Sequence, residues 1–412
     1  MLKPIHRISA RAASAAVACC AALLGAASSA AAPVTLAQAV DAAWQRTQAG
    51  AAAQAQQLRA DAQRKVAASA LAAPPALSLS QRSDRWQNNR GVQENEVGIA
   101  LPLWLPGQRD AQRAAADSES GLAAQGSQVA RLRLAGQLRE LAWSLVGLRA
   151  EVANARGRQA YLQALAGDVD RRVKAGDLAR SDALAAQGEA LAAGAELDDA
   201  EQRLAAERQR WTALTGLDAD IEAAEGAAPE ADPLDPDRHP LMAQQSLAVD
   251  AARRQLEVSR RDVADAPELS VTYRNERSAR GEPSQGSMVL ALRLPFGTAA
   301  RNEPLRAAAQ GALDQALAEQ TRTRLELAAE LAIARDAQRA ADRQAALLRE
   351  RATLLRERAA LLDKSFRAGE TALPDLLLAA QAAAQADAAL ARQQAAQGNA
   401  HARLLQASGV LP

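Results

Sequence analysis

Arg172-Val173-Lys174-Ala175-Gly176-Asp177-Leu178-Ala179-Arg180-Ser181-Asp182 is echoed by Ser365-Phe366-Arg367-Ala368-Gly369-Glu370-Thr371-Ala372-Leu373-Pro374-Asp375. Gly176 and Gly369 lie 193 positions apart, and so do Asp182 and Asp375. A glycine at the end of a periodic run stops a helix, because it accepts the left-handed conformation without a Cβ clash. Each copy sits between long Ala- and Leu-rich segments, so each reads as the turn of a helical hairpin. The chain reads as a tandem duplication.

Working outward from the turns, the same order occurs twice. Thr35 can N-cap a helix that starts Leu36-Ala37-Gln38-Ala39-Val40 and runs to about Leu71, before Pro74-Pro75. The period then changes from 3.6 to 2. Leu77 and Leu79 alternate with Ser78 and Ser80. After a polar stretch, Val97, Ile99, Leu101 and Leu103 alternate with Gly98 and Ala100, which predicts a β-hairpin with strands at about 75–84 and 94–104. From Gln108 the helical period resumes. Leu134, Leu138, Leu141, Leu145, Leu148 and Val152 form a heptad seam leading to the turn at 175–180. Pro229, Pro233, Pro236 and Pro240 mark residues 218–240 as a linker. Everything then returns, with strands at about 267–276 and 286–296, a helix of about 60 residues, and a turn at 368–374. That helix carries Leu347/Leu348, Leu354/Leu355 and Leu361/Leu362 at sevenfold spacing. The domain reading is therefore residues 33–217 and 241–412 as two repeats joined by the linker.

Residues 1–32 read as a secretory signal. Lys3, Arg7 and Arg11 precede an apolar stretch from Ala12 to Leu24, and Ser28-Ser29-Ala30-Ala31 offers small-residue cleavage sites. Two processing routes stay open: cleavage at those sites, or cleavage before Cys19 or Cys20 with acylation. In the first case no cysteine remains, hence no disulfide and no thiolate metal site. Net charge is +1; with the three leader cations removed, the remainder carries −2, which gives no basic field for nucleic acid. His239 and His401 are isolated, and Met242 and Met288 complete no soft-ligand cluster. The acids from Glu230 to Asp237 read as linker, not as a calcium loop. No phosphate loop or nucleophile motif is present. The expectation is a protein that is no enzyme and carries neither cofactor nor metal.

Strands of nine to eleven residues have the length a tilted strand needs to cross a bilayer. The side bearing Leu290, Leu292, Leu294, Ile99 and Leu101 would face lipid. Trp86, Trp104, Tyr273 and Phe296, four of the nine aromatics, lie in or beside the hairpins. Four strands cannot close a barrel, and open edges are not tolerated in lipid. Membrane hairpins would thus require several chains to share one barrel, and three chains would give about twelve strands. The competing reading is an exported, coiled-coil-rich periplasmic scaffold or adaptor, with a soluble sheet buried against helices.

The duplicated order, Leu36-Ala37-Gln38-Ala39-Val40, the strand exits Leu101-Pro102-Leu103 and Leu294-Pro295-Phe296, and the two glycine turns together resemble the TolC-like outer-membrane efflux family. The resemblance implies a mainly helical homotrimer: a 12-stranded β-barrel in the outer membrane of a Gram-negative cell, continuing into a periplasmic α-helical barrel. It implies two partners, a periplasmic adaptor and an inner-membrane efflux transporter, for which this chain would be the passive exit duct. Leu294-Pro295-Phe296-Gly297-Thr298-Ala299-Ala300-Arg301-Asn302 is more similar to members serving heavy-metal cation exporters. By the same resemblance, Gly176, Gly369, Val173 and Phe366 mark the tips that meet the adaptor. Asp375, with Asp182 as its partner in the first repeat, would line the periplasmic entrance. Where relatives carry a second acid one turn on, this chain has Leu378. From the residues alone, Asp182 and Asp375 read equally as helix N-terminal caps.

Overall fold

A computed structural model describes residues 34–218, 221–223, 225, 235–262, 264–296 and 299–412. The signal expectation for 1–32, including Cys19 and Cys20, lies outside them, as do parts of the linker and Gly297-Thr298.

The first repeat opens with β1 (Val34–Thr35), α1 (Leu36–Arg46) and α2 (Gln48–Ala67). Thr35 caps α1 through a capping box with Gln38. The single helix expected to Leu71 is two helices. Thr47 takes extended dihedrals, with φ −90° and ψ 154°. The break lets α1 bury Leu36, Ala39, Val40 and Ala43 against α3 and α4, while α2 runs on along α3. The hairpin β2 (Ala76–Ser83) and β3 (Gln93–Pro102) follows, then α3 (Gln108–Ala175) and α4 (Arg180–Thr215). α3 has 68 residues, about 100 Å of helix.

The expected linker is not featureless. β4 (Ile221–Glu222) pairs in parallel with β1, and a short 3-10 turn covers Pro236–Arg238. Glu225 reaches the middle of α3, where Arg139 is only 2% exposed. Arg139 donates to Glu225 Oε2 at 2.9 Å, to Gln406 Oε1 at 2.6 Å and to the Val410 carbonyl at 2.9 Å. One guanidinium thus ties the linker and the C-terminus to the long helix, which a buried charge needs for its desolvation to be offset.

The second repeat comprises α5 (Pro240–Arg261), β5 (Glu268–Arg277), β6 (Gln285–Arg293), α6 (Ala299–Arg367) and α7 (Leu373–Ala407). The four hairpin strands form one antiparallel sheet in the order β2-β3-β5-β6, so the two repeats join through β3 and β5. Leu103, Trp104 and Leu294 to Phe296, expected within strands, lie just past them. Pro102, which has no N–H for a ladder bond, is the last paired residue of β3, opposite Glu268, and β6 ends at Arg293.

Register sorts the sheet into two sides. Leu77, Ile99, Val271 and Leu290 share one row; Leu79, Val97, Tyr273 and Met288 share the next; Leu101, Leu269 and Leu292 follow. No helix is laid over this side, and Leu290 is 72% and Leu79 73% exposed. That contradicts a soluble sheet buried against helices of the same chain. The other side carries every carboxylate of the four strands, Glu94, Glu96, Glu268 and Glu276. There Arg274 pairs with Glu96 at 2.5 Å and Glu94 at 3.1 Å.

The helices repeat the order of the strands. Near the sheet they run α2-α3-α5-α6, and towards the turns α4-α3-α7-α6. The core is correspondingly drawn out: one apolar cluster surrounds α1 and the middle of α3, and another lies beneath the turns.

Candidate functional site: the paired helical turns

Both turns close in the same way. Gly176 has φ +88° and Gly369 φ +80°, a region costly for residues with a Cβ. The N–H of Asp177 bonds the Arg172 carbonyl at 2.9 Å and that of Gly176 the Val173 carbonyl at 3.1 Å. The N–H groups of Glu370 and Gly369 repeat this on the Ser365 and Phe366 carbonyls, each at 3.0 Å. These paired bonds satisfy the last free carbonyls of α3 and α6.

The two turns are fastened to each other. Arg172 donates to the Phe366 carbonyl and to the Arg367 carbonyl, each at 3.1 Å. Its guanidinium also lies 5.1 Å from the centroid of the Phe366 ring. One arginine of the first repeat thereby caps the last helix turn of the second. Below it, Tyr161 on α3 donates to Asp363 on α6 at 3.4 Å. Burial, together with the nearby Asp363 carboxylate, pushes the Tyr161 phenol up to about 12. Phe366, only 2% exposed, packs with Leu162, Leu165, Val169, Ala183, Leu373 and Leu376. Its ring is buried support for the turn, packed beside the Gly369 end of α6. Val173 is half-buried beside it.

Asp182 and Asp375 occupy the same third helical position of α4 and α7. Ala179 and Ala372 stand at the N-caps and have no side-chain oxygen to cap with, so the acid is the group that can reach back. Asp182 does so, accepting the Ala179 N–H at 3.2 Å. Asp375 is exposed, behind Pro374. The cap reading describes Asp182, while Asp375 projects into solvent beside Leu378, also exposed. Sequence reasoning missed Arg172, Tyr161 and Arg139. The first two stood beside a recognised turn, but only the packing of α3 against the second repeat gives them partners.

A hairpin sheet at one end, long packed helices along the chain and paired turns at the other make up the architecture. Residues 237–410 match the family model described as outer membrane efflux protein. Among solved structures the fold is similar to the outer membrane protein VceC from Vibrio cholerae, at TM-score 0.73 and 17% identity, covering 91% of this chain and 96% of that one. It is similar to CusC, a channel-forming protein, at TM-score 0.76 and 14% identity, covering 91% and 92%. It also resembles the Campylobacter jejuni CmeC outer membrane channel, at 0.72 and 16%, covering 91% and 85%. No curated protein sequence matches the chain. The TolC-like resemblance thus holds twice, by family over the second repeat and by fold over nearly the whole chain. No enzyme family is indicated.

Among the described residues no helix is long and apolar enough to cross a membrane, and no group of three or more His, Cys, Asp or Glu is placed to hold a metal ion.

Proposed function

We propose that three copies of the chain close a 12-stranded β-barrel in the outer membrane, and that the long helices continue it as a periplasmic duct. Substrates expelled by an inner-membrane transporter would pass through it passively, by way of a periplasmic adaptor. The observation that carries this reading is the sheet: one side apolar and uncovered, the other polar, with β2 and β6 left as open edges. In lipid an open edge leaves backbone groups unsatisfied, so β6 must pair with β2 of a neighbour.

The helices support the same closure. α4 and α6 flank the lower helical layer, on the sides where β2 and β6 flank the sheet. Each flank carries exposed leucines: Leu184 and Leu191 on α4, Leu347, Leu354 and Leu361 on α6. Leu184 and Leu361 each stand eight residues from their turn glycine, and Leu191 and Leu354 each stand fifteen. Neighbouring copies with level turns would therefore meet leucine to leucine, in a head-to-tail contact that closes a ring.

Three Asp375 carboxylates brought near one axis would favour cations over anions, with Asp182 holding the start of α4 behind them. Gly176, Gly369 and Val173 would set the shape of the tips that meet the adaptor. The strand-exit stretch from Leu294 makes heavy-metal cations the cargo class to test first. Asp375→Asn is expected to lower the cation preference of the reconstituted pore; an unchanged preference would remove Asp375 from the entrance.

The first test is the molar mass of the mature protein extracted by detergent from urea-washed outer membranes. A trimer supports the shared barrel. A soluble periplasmic monomer would overturn it in favour of a scaffold or adaptor.

A further inference from the structure

Charge is distributed unequally on the two sides of the sheet. The polar side holds all four strand carboxylates and Arg82, Arg274 and Arg293; the apolar side holds a single charge, Arg277, in the row farthest from the helices. Arg277 donates to Gln93 Oε1 at 3.0 Å, but its Nε is buried without a hydrogen-bond partner. Beyond that row lie the two loops opposite the helices. They supply exposed Arg85, Arg90 and Arg280 and Trp86, which is 94% exposed.

The loops are held as one surface. The Arg280 N–H bonds the Arg90 carbonyl at 2.8 Å, and Arg280 Nη2 bonds Asn89 Oδ1 at 3.1 Å. A Cβ on Gly91 would come within 2.6 Å of the Arg280 backbone, so the approach needs glycine there. Of the two loop carboxylates, Asp84 is occupied by the N–H groups of Arg90 at 2.7 Å and Gly91 at 3.2 Å. Glu282 stands in the second loop and is exposed.

We propose that this rim is a seat for a phosphate-bearing glycolipid headgroup of the surrounding outer leaflet, gripped by Arg277, Arg85, Arg90 and Arg280 with Trp86 at the headgroup boundary. The inference rests on the membrane barrel proposed above. Guanidinium groups bind phosphate oxygens through paired, charge-assisted bonds, and an amphipathic indole settles where apolar chains meet headgroups. Arg277 stands just above the apolar rows, beside the loops that carry Arg85, Arg90 and Arg280. Four arginines against one exposed, unengaged carboxylate, Glu282, give the rim a net positive charge that fits an anionic lipid and not a zwitterionic one.

The test is native mass spectrometry of the detergent-extracted protein. It is offered a bisphosphorylated diglucosamine lipid, the same lipid dephosphorylated, and the first lipid with excess inorganic phosphate. The wild-type chain is expected to retain the phosphorylated lipid roughly tenfold better than the dephosphorylated one. The quadruple variant R85Q/R90Q/R277Q/R280Q should lose that preference while keeping its assembly mass. Free phosphate should not displace the lipid. Equal retention of both lipids by the wild type, an undiminished preference in the variant, or displacement by free phosphate alone would overturn the proposal. The spectra separate the two readings: a monomer fails the barrel, whereas a trimer without phosphate preference fails only the headgroup seat.

Discussion

Arg172 of the first repeat grips Phe366 of the second at two points, with a 3.1 Å hydrogen bond to its carbonyl and the guanidinium 5.1 Å from its ring centroid. Bonds from a charged donor contribute about 1.5–3 kcal/mol each. Arg172→Ala is expected to loosen the last turn of α6, so that the Gly369 and Glu370 amides exchange their protons at least tenfold faster. Arg172→Lys should restore little, since an ammonium cannot fork to two carbonyls while stacking on the ring. Unchanged exchange in Arg172→Ala would show that the turn is held without this contact.

In the proposed ring, the level leucines of α4 and α6 would make assembly sensitive to one substitution. Removing a buried leucine side chain costs about 1.5–3 kcal/mol per interface, and a buried carboxylate adds to that. Leu354→Glu should shift detergent-extracted protein from trimer towards monomer, as read by sedimentation over a range of concentrations. A variant as trimeric as the wild type would place the α6 seam outside the interface.

Leu292 faces the apolar side, between Leu290 and the strand exit. An arginine there at the bilayer midplane would cost about 2–4 kcal/mol. Leu292→Arg should accumulate outside the outer-membrane fraction, whereas Ala291→Arg, on the polar side of the same strand, should insert. Equal insertion of the two would contradict the assignment of sides.

His239 gives an acid-side dependence. Its Nδ1 accepts the Leu241 N–H at 3.0 Å and caps α5. Burial holds the imidazole below its ordinary value of 6.5, so the folded state favours the neutral ring. The unfolded chain binds the proton first, and stability is lost as pH falls through about 6.5 towards the lower folded value. The melting midpoint should therefore drop on acidification across that range. His239→Asn, which can still cap, should flatten the drop. A wild type and variant with the same pH profile would assign the acid sensitivity elsewhere.

Much of this architecture is legible because it rests on local rules applied twice. Alternation through Leu77 and Leu79, and again through Met288, Leu290 and Leu292, can satisfy only an extended chain with two unlike sides. Gly176 and Gly369 can only end helices cleanly, and the 193-residue offset between them announces the duplication. Backbone sterics and side-chain period act over a few residues, so they can be read in order along the chain.

Tertiary structure decided what depends on distance. The leucine doublets at 347/348, 354/355 and 361/362 look uniform in sequence, yet packing turns Leu348 and Leu355 towards the core and Leu347 and Leu354 outwards. Phe366 stands beside a surface turn but is buried, because four helices converge beneath it. The sequence alone offers Asp182 as a cap, and only the folded chain shows the hydrogen bond it accepts from the Ala179 N–H. Arg139 gave no signal at all, since its partners lie 86, 267 and 271 residues away. The sequence by itself determined the elements, their order and their repetition. Only the folded chain determined which side of each element meets a partner, because burial is set by groups that the local pattern does not contain.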